Sequence, residues 1–379
     1  MISKDRLNKV NFRISMKKSK VGIVTIVDLT NYGNRLQNYA VTHVLKKMGY
    51  SPYTLCVDKN YTIKTKVMDL IMEVGFVQRF KLYMGKKRSD KHYRYLHFDK
   101  FDRANIRKVK VNSMEADTIK NKCIDFKCFV IGSDQVWNPN YGYARDYEFA
   151  QFAKPEQRVC FSPSFGIDEV PEANRECILN GLLGLNNISV REESGREIVK
   201  RLTGKDATVL IDPTMMLGAE DWSKVAYQPD NIDVNTGYIF GYFLGKRTEG
   251  QDSRIKKLMN DYNLKFYDIM DKSNRDLYVS GPGEFISLVE NATLIVTDSF
   301  HASVFSILFK KPFIVFRRDG NGAGISSRLD TLLGKFQLTS RFEYNLDDSE
   351  VMNCDFTEAY KILGEERKKV SEFLDKSMQ

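Results

Sequence analysis

Apolar runs and polar breaks alternate along this chain in a regular rhythm. Residues 21–27, "VGIVTIV", are almost continuously apolar, the pattern of a strand buried on both faces of a parallel sheet. A polar turn containing glycine, "DLTNYGNRLQ", follows. Helical spacing then runs over residues 36–48, with Gly49 as its stop. "PYTLCV" predicts the next strand and residues 128–131 another. "QRVCFSPSFG" reads as a strand and loop, and residues 188–190 as a strand leading into a helix. "ATVLIDPTMML" reads as a short strand and then a linker marked by Asp212-Pro213.

After that linker the rhythm restarts. "GYIFGYFLG" and "KFYDIM" predict strands, with a helix between them over residues 254–262. "GPGEFISLVENA" predicts a helix, "TLIVTDSFHASVFSILF" a strand, turn and helix, and "KPFIVF" a strand. One long helix over residues 356–377 closes the chain. Repeated strand-loop-helix units predict an α/β fold of two doubly wound, Rossmann-like domains, residues 1–212 and 213–379, facing across a cleft.

Composition narrows the class. A 379-residue chain with 42% hydrophobic residues has enough for two buried cores. The six cysteines form no C-x-x-C pair, and most lie in apolar runs such as "RVCFS". They read as buried free thiols rather than zinc ligands, which suits a reducing cytoplasm. The first twenty residues are basic but lack the apolar core of a signal peptide. The longest apolar candidate for a membrane span, residues 293–316, is broken by Asp298, His301, Lys310 and Lys311. A cytoplasmic protein is expected, at most peripheral to the inner face of the membrane.

The net charge of +9 is local. Residues 79–110 hold twelve Lys and Arg against three Asp and Glu, inside what reads as a basic helical insertion at about residues 70–110. Aromatic residues interleave there. The segment is either a solvated amphipathic helix pair or a contact for an anionic membrane surface or a phosphate-bearing acceptor. No nucleic-acid recognition motif accompanies the charge, so no nucleic-acid partner is expected.

The polar clusters fall at the predicted strand ends, where ligands bind in open α/β sheets. His301, one of only four histidines, would sit in the first turn of a helix with Asp298 or Ser299 as its N-cap. Free backbone N–H groups and the helix dipole attract anions there, and an imidazole can hold an anion or move a proton. Arg191, directly after a strand, either grips a carboxylate or phosphate bidentately or pairs with Glu192. Arg328, in "GISSRLDTLL", sits at a predicted loop-to-helix junction as a second anion clamp or a capping residue. "GSDQVWN" offers Asp134 as acid or base, Gln135 and Asn138 as hydroxyl readers and Trp137 as a stacking plate. That set suits a sugar, but it equally fits an Asx turn with a core tryptophan. "NYGNRLQ", with Asn34 and Gln37, is similar to phosphate-cradling loops without matching a Walker or dinucleotide motif.

Taken as an ordered set, "NYGNRLQNYA", "VIGSDQVWNP", "FSPSFG", "ISVREESG", "VLIDPTMML", "GPGEFISLVENA" and "VTDSFHASVFSILFKKPF" resemble the polysaccharide pyruvyl transferase family over most of residues 21–333. The resemblance implies a GT-B-like fold. It implies transfer of pyruvate from phosphoenolpyruvate to a sugar of a surface polysaccharide, or to its lipid-linked precursor, as a ketal. Phosphoenolpyruvate is then a co-substrate, and no metal or other cofactor is expected. The family's histidine after "TDSF" maps onto His301 and its arginine after "ISV" onto Arg191.

On this reading His301 and Asp134 are catalytic. Arg191, Ser299, Arg328, Asn34, Gln37, Gln135, Trp137 and Asn138 bind substrate. The basic segment is expected on the amino-terminal domain near the acceptor side, with the donor held by the carboxyl-terminal domain. Many members carry glycine after the histidine. Here Ala302 stands there, and its methyl group is expected to crowd the donor. The alternatives are a GT-B glycosyltransferase using a nucleotide sugar and a non-catalytic member of a polysaccharide assembly complex.

Overall fold

The structure, a computed structural model, describes residues 18–28, 30–57, 89–318 and 323–379. Strand β1 (Lys20–Val24) is buried at four of its five positions. It lies at the centre of a parallel sheet with β2 (Ser51–Val57), β3 (Lys108–Val111), β4 (Phe126–Ile131) and β5 (Arg158–Cys160), in the order β3-β2-β1-β4-β5. Strands β6 (Ser189–Val190) and β7 (Thr208–Val209) form a short parallel pair alongside. The Ser189 hydroxyl stands in for a ladder between β5 and β6. It donates to the Cys160 carbonyl at 3.2 Å and accepts from the Ser162 N–H at 3.1 Å.

A second parallel sheet holds β8 (Tyr238–Tyr242), β9 (Lys265–Asp268), β10 (Leu294–Thr297) and β11 (Phe313–Val315), in the order β11-β10-β8-β9. Among the described residues no ladder joins the five-stranded and four-stranded sheets. Each sheet has one point where the strand order reverses, between β1 and β4 and between β8 and β10. Two Rossmann-like parallel sheets make the α/β, GT-B-like architecture that the motif order implies.

The helices are α1 (Tyr32–Lys47), α2 (Asp90–Asn105), α3 (Ala116–Lys122), α4 (Glu172–Leu183), α5 (Glu193–Thr203), α6 (Ala219–Ser223), α7 (Glu249–Asp261), α8 (Arg275–Tyr278), α9 (Pro282–Asn291), α10 (Phe300–Leu308), α11 (Ala323–Lys335) and α12 (Thr357–Ser377). Helix α1 begins before the point that apolar spacing predicts. Asn31 caps it by accepting the Asn34 N–H at 3.2 Å, so "NYGNRLQ" supplies the cap and first turns of a helix and is not a phosphate-cradling loop.

The basic segment departs from expectation in two ways, while residues 79–88, with Lys86, Lys87 and Arg88, lie outside the described residues. First, "KVKV" is an edge strand, β3, rather than helix. Its period-two alternation with exposed lysine suits a sheet edge. Second, α2 is not confined to the amino-terminal half. His97 Nδ1 lies 2.9 Å from Glu284 Oε1, Arg275 pairs with Asp90 at 2.9 Å, and Arg94 donates to the Tyr278 carbonyl at 2.7 Å. The buried Arg94 guanidinium also lies over the rings of Tyr32, Phe98 and Tyr278. Part of the predicted surface charge therefore sits in the seam between the halves.

That seam is buried and aromatic. Tyr32 stacks on Phe285 at 4.8 Å, meets Tyr242 edge-on at 5.4 Å, and donates its hydroxyl to the Ser280 carbonyl at 2.7 Å. Each ring pair contributes about 0.5–1.5 kcal/mol beyond its area. One apolar cluster accordingly runs through both halves. Helix α12 returns to the amino-terminal half. Lys369 donates to the Val209 carbonyl at 2.9 Å, and Lys127 of β4 to the Met378 carbonyl at 2.8 Å. Among the described residues no helix is long and apolar enough to cross a membrane.

Candidate functional site

Both reversal points open onto one cavity of about 400 Å³. Asn34 reaches it from the segment after β1, Asp134 and Gln135 from the end of β4, Leu244 from the end of β8, and Ser299 and His301 from the end of β10. This is the crevice beyond the carboxyl ends of strands where doubly wound sheets bind ligands.

The carboxyl-terminal half presents positive charge. Ser299 precedes α10 in extended conformation, and its side chain makes no capping hydrogen bond. The first-turn N–H groups of a helix have no intrahelical partner, and Ser299, Phe300 and His301, which open this one, all line the cavity. The His301 imidazole is nine-tenths buried, and its Nε2 has no hydrogen-bond partner. Asp212 Oδ2 lies 3.7 Å from that nitrogen. The opposite side of the ring abuts Gly33 of α1. A Cβ there would stand 2.2 Å from Nδ1, so only glycine admits the imidazole at this spot.

Arg328, from α11, is 7% exposed and lines the same cavity. Its Nε has no partner, and among the described residues it pairs with no carboxylate. Burial, and then repulsion from Arg191, push its guanidinium down to about 10, so it remains charged at neutral pH. Asp134 and Glu192 attract it from beyond ion-pair distance, and a buried cation without a direct partner is costly unless an anion joins it. Arg318 also faces the cavity but is engaged by Asp298, with Nε donating to Oδ2 at 2.7 Å. Asp298 further accepts the Leu244 and Gly245 N–H groups at 2.8 and 2.7 Å, which fixes the loop after β8.

Behind the cavity wall lies a carboxylate network. Asp212 Oδ1 accepts from the Thr214 N–H and hydroxyl at 3.0 and 2.7 Å. Its Oδ2 accepts from the Ser133 hydroxyl and from Arg191 Nη1, both at 2.8 Å. Burial would raise its carboxyl, but His301, Arg191 and the Thr214 hydroxyl hold it well below the usual carboxylate range. Asp134 takes a left-handed backbone at φ 66°. It accepts from Asn34 Nδ2 and from Arg191 Nη2, the latter at 3.4 Å. Burial pushes it up, and Arg191, His301 and Arg328 together pull it below its ordinary value. A carboxylate held this way is a weak proton acceptor and a good orienting group. Glu192 spends Oε1 on the Ser164 hydroxyl at 3.0 Å and on the Phe165 and Gly166 N–H groups at 2.8 and 3.2 Å.

A family model for polysaccharide pyruvyl transferase matches residues 31–320. The chain belongs to this family. No curated protein matches it. Among solved structures it is similar to the putative UDP-N-acetylglucosamine 2-epimerase from Listeria monocytogenes, at 11% identity over 94% of this chain and 91% of that one, with a TM-score of 0.45. It is similar also to UDP-GlcNAc 2-epimerase from Neisseria meningitidis bound to UDP-GlcNAc, at 13% identity, 94% and 100% coverage and TM-score 0.44. A third is Medicago truncatula UGT71G1 complexed with UDP-glucose, at 8% identity, 97% and 99% coverage and TM-score 0.47.

In this pyruvyl transferase-family chain six of the residues expected from sequence meet at the cavity: His301, Asp134, Ser299, Arg328, Asn34 and Gln135. Four do not line it. Arg191 is 4% exposed and has three carboxylates within 4 Å, with Phe300 beneath its guanidinium at 4.5 Å, so its charge is taken up within the wall, although its Nε makes no hydrogen bond. Trp137 is wholly buried between Phe149 and Phe165, with its indole N–H donating to the Glu148 carbonyl at 3.2 Å. It is a core residue, not a stacking plate. Asn138 caps the turn Pro139–Tyr141 and donates to Gln135 Oε1 at 2.8 Å, which leaves no edge for a sugar. Gln37 ties α1 to the end of β1 through the Thr25 hydroxyl at 2.7 Å. Ala302 is buried in the apolar cluster and does not line the cavity, so its methyl group does not crowd a donor there. Arg328 lies inside α11 rather than at its junction.

Gly33, Asp212 and Arg318 are site residues that sequence reasoning passed over. Asp212 carried a usable signal: it follows the apolar "VLI" run as the other polar clusters follow their strands. Among the described residues no group of three or more His, Cys, Asp or Glu could hold a metal ion.

Proposed function

We propose that this chain transfers pyruvate from phosphoenolpyruvate to two hydroxyls of a sugar of a surface polysaccharide, or of its lipid-linked precursor, to form a ketal, with no further cofactor. The observation that carries this reading is Arg328, a buried guanidinium without a carboxylate partner among the described residues, facing the same cavity as the open N-terminus of α10. Phosphoenolpyruvate places a phosphate and a carboxylate on three carbons, and this half of the cavity offers a compact set of donors for both.

The enol carbon C3 takes a proton, which leaves positive charge at C2. One sugar hydroxyl bonds to C2, the C2–O bond to phosphate breaks, and a second hydroxyl closes the ketal. The two hydroxyl protons end on C3 and on the released phosphate, so the reaction balances with inorganic phosphate as the only other product. His301 holds the donor and moves a proton, with Asp212 Oδ2 3.7 Å from its Nε2. Asp134, kept ionised, offsets the charge that develops at C2.

Thermal shift separates this reading from a nucleotide-sugar glycosyltransferase. Stabilisation by phosphoenolpyruvate, and none by UDP- or GDP-sugars, supports it. The opposite pattern rejects it. Phosphate release from phosphoenolpyruvate across a panel of saccharides then tests turnover.

A further inference from the structure

The two halves contribute opposite chemistry to the cavity. Among the described residues the carboxyl-terminal half supplies Arg318, Arg328 and His301. The amino-terminal half supplies two carboxylates, Asp28 and Asp134, and no cation. A polyanionic donor is repelled from that second wall. What the wall does offer is a pair of tyrosines, Tyr141 and Tyr143, with Asp28 and the amides of Asn31 and Gln135.

Tyr141 is the unusual member. It is 58% exposed, yet it borders the cavity, and among the described residues its ring stacks on no other aromatic. It is nevertheless held in place. The turn Pro139–Tyr141 is capped by Asn138, and Gly142 closes it in the left-handed region at φ 71°, with its N–H donating to the Pro139 carbonyl at 3.0 Å. A turn fixed in this way holds the aromatic face at the cavity mouth, where a ligand can reach it. Asp28 is exposed beside it. Its Oδ1 accepts from the Thr30 N–H and hydroxyl at 2.7 and 3.0 Å, which fixes the carboxylate and leaves Oδ2 for a ligand. Tyr143 and Asp28 line the same cavity, and the Tyr143 hydroxyl is pushed up first by burial and then by Asp28.

We infer that Tyr141, Tyr143 and Asp28 form the pyranose subsite of the acceptor. The assignment rests on the pyruvyl-transfer reading above. A pyranose has one face of C–H bonds, which complements the negative face of an aromatic ring, and a rim of hydroxyls. Tyr141 takes the C–H face, Asp28 Oδ2 accepts from one or two hydroxyls, and Gln135 and Asn31 read the remainder. The sugar then lies across the cavity from Arg328 and α10, with its hydroxyls directed at the donor. This subsite takes the place of the Trp137 plate that the sequence had indicated.

The test uses the full chain with phosphoenolpyruvate and para-nitrophenyl hexopyranosides of the gluco, galacto, manno and 2-acetamido series. Phosphate release is measured as a function of glycoside, and donor affinity by calorimetry. Tyr141→Ala should raise the glycoside KM about tenfold, the upper range for a lost aromatic contact. Donor affinity and melting temperature should not move, because the side chain is exposed. Tyr141→Phe should restore the wild-type KM, and Asp28→Asn should raise it independently. Unchanged glycoside KM in Tyr141→Ala overturns the subsite, as does an equal loss of donor affinity. Wild-type protein that binds phosphoenolpyruvate but responds to no glycoside also overturns it and leaves the donor reading intact. Failure to bind phosphoenolpyruvate removes the donor reading and this inference with it.

Discussion

Gly33→Ala is a one-carbon change that should disable turnover while leaving the protein folded. The new Cβ would stand 2.2 Å from His301 Nδ1, 2.6 Å from Cε1 and 2.9 Å from Cγ. Ordinary contacts between such atoms are about 3.5–4.0 Å, so the imidazole must retreat by roughly 1 Å or more. It cannot retreat freely, since it belongs to a nine-residue helix of which every residue is buried. Overpacking of this kind costs about 1–3 kcal/mol, and the helix propensity gained on replacing glycine offsets up to about 1 kcal/mol of that. The net loss of stability should therefore be small. Catalysis is more demanding. Misplacing a reacting group by about 1 Å can cost about 100-fold, equivalent to about 2.7 kcal/mol of barrier. Phosphate release, calorimetry with phosphoenolpyruvate and a thermal melt measure the three quantities. Gly364, on the exposed side of α12, gives the control, because a methyl group added there would meet nothing within 4 Å. Gly364→Ala should raise the melting temperature and leave turnover alone. A Gly33→Ala protein with turnover near wild type would refute the contact between α1 and His301 as a determinant of activity.

Arg328→Leu should bind phosphoenolpyruvate about 10–100-fold more weakly, the equivalent of a lost charge-assisted hydrogen bond, and should melt higher without ligand because a buried charge with no direct partner among the described residues is gone; a lower melting temperature would contradict the reading of Arg328 as unpaired. Arg191→Ala should destabilise the chain by about 3–5 kcal/mol in denaturant titration, since Asp212 and Asp134 lose their buried partner; a stable variant with only weaker donor binding would restore Arg191 as a direct clamp. The carboxyls of Asp212 and Asp134 lie below their unfolded values, so the stability they contribute is complete above about pH 4 and is lost as pH falls toward their folded values. Melting temperature against pH should show an acid limb, and that limb should flatten in Asp212→Asn; an identical slope in the variant would exclude Asp212 as a source.

The sheets were legible because each central strand is an apolar run between turn formers, and such runs read the same way in any context. The site was legible only where a residue's position follows from its own strand. His301, Ser299 and Asp134 sit at strand ends and reached the cavity as expected. Arg191 occupies the same kind of position, but a contact made across 21 residues of sequence, with Asp212, consumes its charge. Trp137 and Asn138 flank Asp134 in sequence, yet the left-handed backbone at Asp134 turns the following residues into the core and the cap. Gly33 was invisible as a site residue for another reason. Its role is to leave space for a ring 268 residues away in the chain, and that partner lies in the other half of the fold. Sequence spacing reports local periodicity, whereas these assignments depend on who meets whom across the seam.

The seam also explains how so much charge can be buried around one small cavity. Asp212, Asp134 and Glu192 each accept hydrogen bonds from within the protein: hydroxyls of Thr214, Ser133 and Ser164, the Asn34 amide, backbone N–H groups and Arg191. Asp212 and Asp134 are thus paired before any ligand arrives, while Glu192 keeps Oε2 without a hydrogen bond. Arg318 is likewise satisfied by Asp298. Among the described residues Arg328 alone of these arginines faces the cavity without a carboxylate partner, beside a helix start that also lacks its side-chain cap. The arrangement is therefore short of negative charge on one wall only. In the proposed reaction an anionic donor fills that deficit, and the neutral face of a saccharide fits the wall that has none. Pairing within the protein and pairing with the ligand are thus separated in space. This separation lets the site hold a charged donor without collapsing into ion pairs of its own when empty.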